Sequence, residues 1–100
     1  MKHDSILSAL AQTFRRYPAI ERAVLFGSRA RGDHREQSDY DVAIYGALPT
    51  SDKTALRIFC AEDLPTLHKV DLIFMSEQDG TPIAESIQRE GIIFYDKDRK

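Results

Sequence analysis

Tryptophan is absent from the chain, cysteine occurs once, and no uninterrupted apolar run exceeds four residues. Each scarcity excludes something. A lone cysteine, Cys60, cannot close an internal disulfide and has no second thiol with which to start a zinc pattern. Without a stretch of some 18 apolar residues there is no membrane span, and the opening "MKHDSILSALAQTF" is too often interrupted by polar residues to be a signal peptide. Charge of one sign is also missing: 14 basic against 16 acidic side chains leave a net charge of -2. No run of Lys or Arg forms an electrostatic footprint for duplex nucleic acid, so direct nucleic-acid binding is not expected. These absences predict a cytoplasmic protein. Its 100 residues, 42% of them hydrophobic with nine aromatics, fill one modest core, so residues 1–100 are expected to form a single domain with no separate substrate-holding unit.

What is present reads as alternating helices and strands. Ile6, Leu7, Leu10, Phe14 and Tyr17 recur at the spacing of one helix face, with Asp4 or Ser5 as cap and Pro18 as terminator. "AVLF" (Ala23 to Phe26) is a short buried strand halted by Gly27-Ser28, where a helical turn is expected to begin. "YDVAIY" (Tyr40 to Tyr45) has the β-branched and aromatic content of a strand, closed by Gly46 and Pro49. The polar residues Asp33 to Ser38 form the loop between them. "SDKTALRIFCAEDL" predicts a helix capped by Ser51 or Asp52, which places Cys60 beside Leu56 and Phe59 as a buried apolar thiol. "KVDLIFM" (Lys69 to Met75) predicts the third strand. Thr81 as cap, Pro82 at the first position, Ile83 and Ile87 on one face and Gly91 past the end mark a last helix. "IIFY" (Ile92 to Tyr95) is a fourth strand, followed by the charged tail "DKDRK". The sum is a small α/β (α+β) domain with helices packed on a sheet.

The chemistry concentrates between Gly27 and Asp71. The stretch "FGSRARGDHREQSDYD" nearly spells a Walker phosphate loop, but Asp33 occupies the position of its lysine. Side chains alternate along a strand, so Asp39 and Asp41 project from one face, roughly 7 Å apart at the backbone by two strand rises. Like charges held together raise each other's pKa unless a cation lies between them. All-oxygen ligation favours Mg²⁺ or Mn²⁺ over zinc. Asp71, the one acid inside "VDLIF", is expected to lie near that pair, as a third ligand or as the acceptor of a hydroxyl proton. Gly27 and Ser28, at a strand end before a helical turn, offer amides, a hydroxyl and an unobstructed backbone to an anion. The set is that of a nucleoside triphosphate site in which a metal replaces the lysine.

Each part has a plainer reading. Gly-Ser after a strand can be an ordinary turn, a D-x-D can be the wet face of an edge strand, and Asp71 can be an ion-pair partner for Arg29 or Arg31. Arg29 and Arg31 could instead contact phosphate, or Arg31 could lock the turn against a carboxylate. His3, His34 and His68 lack metal-ligand spacing and read as surface residues. Tyr40 packs on the face opposite the aspartates.

Taken together, these residues resemble the minimal nucleotidyltransferase branch of the DNA polymerase β-like superfamily. Its signature of Gly-Ser, ten residues and Asp-x-Asp is matched without a gap by Gly27-Ser28, Arg29 to Ser38 and Asp39-Tyr40-Asp41. Ala30 to Gly32, Ser38-Asp39 and the closing "EGIIFYD" are also similar, and the family's third acid maps onto Asp71. The resemblance implies a polymerase-β-like fold with a small mixed sheet, and Mg²⁺-dependent transfer of AMP from ATP to a hydroxyl. It further implies that Asp39, Asp41 and Asp71 are catalytic and metal-binding, and that Gly27 and Ser28 bind the nucleotide. Small stand-alone members are typically antitoxins that add AMP to a tyrosine of a HEPN-domain ribonuclease toxin. A binding-only antitoxin and a small-molecule adenylyltransferase are the alternatives.

Overall fold

The computed structural model describes residues 5–32, 39–64, 68–77 and 82–98. Four helices and four strands alternate much as the sequence pattern predicts. They are α1 (Ser5–Phe14), β1 (Arg22–Phe26), α2 (Ser28–Arg31), β2 (Tyr40–Tyr45), α3 (Thr50–Ile58), β3 (Val70–Phe74), α4 (Pro82–Glu90) and β4 (Ile92–Asp96). One sheet runs in the order β3-β2-β1-β4. β1 pairs antiparallel with both β2 and β4, whereas β2 and β3 are parallel. Parallel neighbours require a crossover, and α3 provides it. The sheet is therefore mixed, as expected.

The period-two alternation of the strands sorts the core into two layers. Ala23 and Leu25 of β1 and Tyr40, Val42 and Ile44 of β2 pack with Leu7, Leu10 and Phe14 of α1 and Leu56 of α3. Val24, Phe26 and Ala43 face the other way, against Met75 and Ile87, the one fully buried side chain of α4. Phe14 is the largest side chain with no exposed surface, and its ring meets those of Phe94 and Tyr95 at 6.2 and 6.1 Å between centroids. Phe14→Ala is expected to cost about 3–5 kcal/mol by transfer and cavity terms. That is much of a small domain's stability, so urea unfolding should show a sharply lowered midpoint with folding lost at moderate temperature.

Several expectations need correction. The strand carrying Asp41 is internal, which sets aside the plain reading of its D-x-D as the wet face of an edge strand, and β3 terminates the sheet on that side. α3 starts one residue earlier than its expected caps, with Pro49 at the N-cap position in extended conformation and no side-chain cap bond. Proline sets the extended entry into the helix, and its carbonyl accepts from the amides of Asp52 and Lys53 at 3.1 and 3.2 Å. The helix then widens into a π-helical turn, Phe59–Asp63, where the Leu64 amide donates to the Phe59 carbonyl at 2.9 Å. The wider turn leaves Cys60 half-buried rather than enclosed, though burial still pushes its thiol up to about 11, outside the reactive range. α1 ends four residues before Pro18, because the amides of Arg16 and Tyr17 bond three residues back and tighten the chain into a turn. The caps expected at Asp4 and Thr81 and the loop from Asp33 to Ser38 lie outside the described residues.

Candidate active site

β1 delivers the chain to Gly27, whose φ of 76° and ψ of -155° lie in a region essentially reserved for glycine. The turn this permits starts α2 at once: the amides of Ala30 and Arg31 both donate to the Gly27 carbonyl at 3.1 Å. Gly32, at φ 84° and ψ 7°, closes the same single turn in the left-handed conformation and donates to the Ser28 carbonyl. Both glycines of "FGSRARG" are thus conformational necessities, but only one touches the acids. A β-carbon added to Gly27 would meet the carboxylate of Asp41, whereas one on Gly32 would meet nothing. The strand end, the helical turn and Asp41 are packed as one unit.

The register explains why. Phe26, the residue before Gly27, is directly opposite Asp41 in the β1–β2 pair, and Asp41 is directly opposite Asp71 in the β2–β3 pair. Asp41 and Asp71 therefore share a sheet face, the one whose inner part is covered by α4. Asp39 precedes β2 by one residue and is exposed. Tyr40, between the two acids, points into the opposite layer, where it is 4% exposed. The expected convergence of Gly27, Ser28, Asp39, Asp41 and Asp71 at one end of the sheet is observed. Among the described residues, however, no three His, Cys, Asp or Glu side chains are grouped so as to hold a metal ion by themselves.

The electrostatics single out Asp41. Burial pushes its carboxyl above the ordinary carboxylate range, Asp71 and Asp39 push the same way, and Arg31 and Lys69 oppose them. An acid surrounded by acids in this way is poised to take up a cation. Asp71 is half-exposed and pairs with Lys69, Nζ to Oδ1 at 3.5 Å, rather than with either arginine. Lys69 was legible as a neighbour, since residues two apart on a strand share a face, but its role escaped the reading of the sequence.

The two arginines diverge around the strand end. Arg31 reaches Glu90 at the end of α4, with Nη1 to Oε2 at 3.4 Å, which locks the turn as one of the plain readings proposed. Arg29 goes to the opposite layer and lays its guanidinium over the Tyr40 ring, 4.0 Å from the centroid. His68 meets that ring edge-on at 5.7 Å, and so is a packed residue instead of a purely surface one. His3 and His34 lie outside the described residues. Stacking fixes the plane of a guanidinium while leaving its rim of N–H groups as donors.

Comparison with known proteins agrees with this geometry. A chain in the solved structure of a toxin–antitoxin complex with AMP-PNP is 22% identical, with a TM-score of 0.72 over 90% of this chain and 73% of that one. A chain of the MntA–HepT toxin–antitoxin structure is 19% identical, TM-score 0.64, over 97% and 75%. The tri-AMPylated Shewanella oneidensis HEPN toxin in complex with MNT antitoxin likewise contains a similar chain, 19% identical, TM-score 0.64, over 95% and 73%. These likenesses establish the fold. No match is found among curated proteins. The family profile described as "Polymerase beta, Nucleotidyltransferase" matches residues 8–100, nearly the whole sequence. With the Gly-Ser turn seated on the first of two facing aspartates, and that profile spanning the sheet that carries them, this chain belongs to the polymerase beta nucleotidyltransferase family.

Proposed function

We propose that residues 1–100 act as a single catalytic domain that transfers AMP from ATP to a hydroxyl, a tyrosine side chain, of a partner HEPN-domain toxin. The chain would thereby serve as the toxin's antitoxin in the cytoplasm. The observation that carries this reading is the register that sets Asp41 opposite Asp71 while Gly27 packs on Asp41. Phosphate site and acids are then adjacent, as transfer at the α-phosphorus of a triphosphate needs.

Gly27 and Ser28 hold the outer phosphates, since the first amides of a helix lack acceptors within it, and the missing Cβ at Gly27 lets Asp41 lie against the same turn. Asp39, Asp41 and Asp71 fit a hard divalent cation, Mg²⁺ or Mn²⁺: all donors are carboxylate oxygens, and the repulsion that raises Asp41 is what such an ion would relieve. Side chains alone do not make a cage, so triphosphate oxygens and water would complete the shell. When bound, the ion supplies neutralisation of the triphosphate charge. The acceptor oxygen forms a bond to the α-phosphorus while the bond from that phosphorus to the α,β-bridging oxygen breaks. Pyrophosphate departs with the electron pair, and the hydroxyl proton passes to the Asp71 carboxylate.

The test is intact mass of the partner after incubation with the chain, ATP and Mg²⁺. A gain of one or more AMP units is expected, and Asp39→Ala with Asp41→Ala should abolish it together with toxin neutralisation. A stable complex without any adduct, neutralised equally well by the double variant, would mean that the chain acts as a steric blocker.

A further inference from the structure

The proposed acceptor needs a place to lie, and the sheet offers one beside Asp71. β3 is the terminal strand, so among the described residues no strand pairs with the outer side of its backbone. Along that edge, between β3 and the π-helical turn after α3, runs a cavity of about 520 Å³. Arg57, Cys60 and Ala61 form one wall, and His68, Lys69 and Asp71 the other. Arg57 is held there by its own packing, with the guanidinium 4.8 Å from the centre of the Phe74 ring of β3. Glu62 and Asp63 follow on the same turn but are exposed and do not line the cavity. Two cations, Arg57 and Lys69, thus line the cavity with a single carboxylate, Asp71, which is already paired with Lys69. In a chain of net charge -2 this runs against the overall balance.

We infer that the β3 edge is the docking surface for the acceptor polypeptide, which lies extended along β3 and carries acidic residues that meet Arg57 and Lys69. The inference rests on the functional reading above. Strand addition to an open edge supplies main-chain hydrogen bonds, and the basic wall supplies selection by charge. The placement also accounts for the π-helical turn. A regular continuation of α3 would shift Cys60 and Ala61 along the helix surface, and such widened turns are common where a surface is used.

Ala61 tests this without disturbing the catalytic acids, since it lines the cavity, is exposed and has no side-chain partner to lose. Transfer rates should be measured against partner concentration and against ATP, alongside the affinity of the complex. Ala61→Glu is expected to raise the KM for the partner and weaken the complex about 10-fold by like-charge repulsion, with the KM for ATP unchanged. Ala61→Lys should change neither partner value by more than about threefold, and Ile93→Glu on the opposite edge strand should also leave them alone. Equal damage from Glu and Lys would show a steric effect only and overturn the charge selection. No effect of Ala61→Glu, or a larger one of Ile93→Glu, would overturn the docking edge itself. If the wild type binds the partner but transfers nothing, it is the functional reading that falls, and the affinities of the same variants still decide where the partner docks.

Discussion

Replacing Asp41 by asparagine should make the protein more stable and catalytically inert. The side chain keeps its size and its place against Gly27, but the charge that Asp71 and Asp39 repel is gone. Nucleotide transfer should fall at least about 100-fold, the scale on which removing one preorganised electrostatic group acts. The melting temperature without nucleotide or metal should rise at neutral pH. Mg²⁺ with a non-hydrolysable ATP analogue should raise the melting temperature of the wild type and leave the variant nearly unmoved, because ligand stabilisation scales with affinity. A variant less stable than the wild type at neutral pH would mean that the Asp41 carboxylate is a structural acceptor rather than a functional charge.

The pH dependence carries its own sign. Asp41 binds its proton more tightly folded than unfolded, since burial, Asp71 and Asp39 together outweigh Arg31 and Lys69. The stability linked to that proton is therefore fully present below the ordinary carboxylate value and is lost as pH rises through the raised one. At neutral pH the ionised group is a standing cost, which is why asparagine relieves it. The advantage of the variant should shrink as pH falls through the raised value and the wild-type carboxyl takes up its proton. Thermal melts of both proteins across the acidic range, without divalent ions, check this directly. Function here is held against stability, as is common where charge must be kept for a ligand.

The sequence was a good guide wherever local alternation decided the outcome. Asp41 had to project from the face opposite Tyr40, because a strand allows nothing else, and the buried Tyr40 ring bears this out, while Asp39, one residue before the strand, still acts on Asp41. The Gly-Ser stop after a short apolar run likewise marked where β1 turns into α2. Sheet order was a different matter. Nothing in "VDLIF" says that it will lie parallel to "YDVAIY" with Asp71 level with Asp41, since that register is fixed by the α3 crossover and by packing across the whole sheet. The cation partners were equally hidden. Which group Arg29 and Arg31 meet depends on the course of a four-residue helix, and spacing alone cannot set it. The π-helical turn also left no mark in the hydrophobic pattern, because one extra residue in a turn alters the hydrogen bonding more than the identity of the apolar positions.

Gly27 and Gly32 should behave very differently when replaced by alanine. Gly32→Ala forces a left-handed conformation on a residue with a Cβ, at about 1–2 kcal/mol, but the new methyl group meets nothing. Transfer should survive within a few-fold, with a modestly lower melting temperature. Gly27→Ala carries about 1–3 kcal/mol of backbone strain and also drives a methyl group into the Asp41 carboxylate. The methyl group meets the end of the Asp41 side chain, so the clash is relieved by turning that carboxylate or by moving α2 away from β2, and either displaces a group of the site. Transfer should fall by about 100-fold or more even where the variant folds, the scale on which a misplaced reacting group acts. A double-mutant cycle separates the two costs. In an Asp41→Ala background the carboxylate is gone and only ordinary contact with the Asp41 β-carbon position remains, so Gly27→Ala should cost less than it does in the wild type. A coupling of about 0.5–3 kcal/mol between the positions is expected from denaturant unfolding of the four proteins. Additive effects would mean that Gly27 is needed for its backbone alone, and that the close packing of the turn on Asp41 has no part in holding the site together.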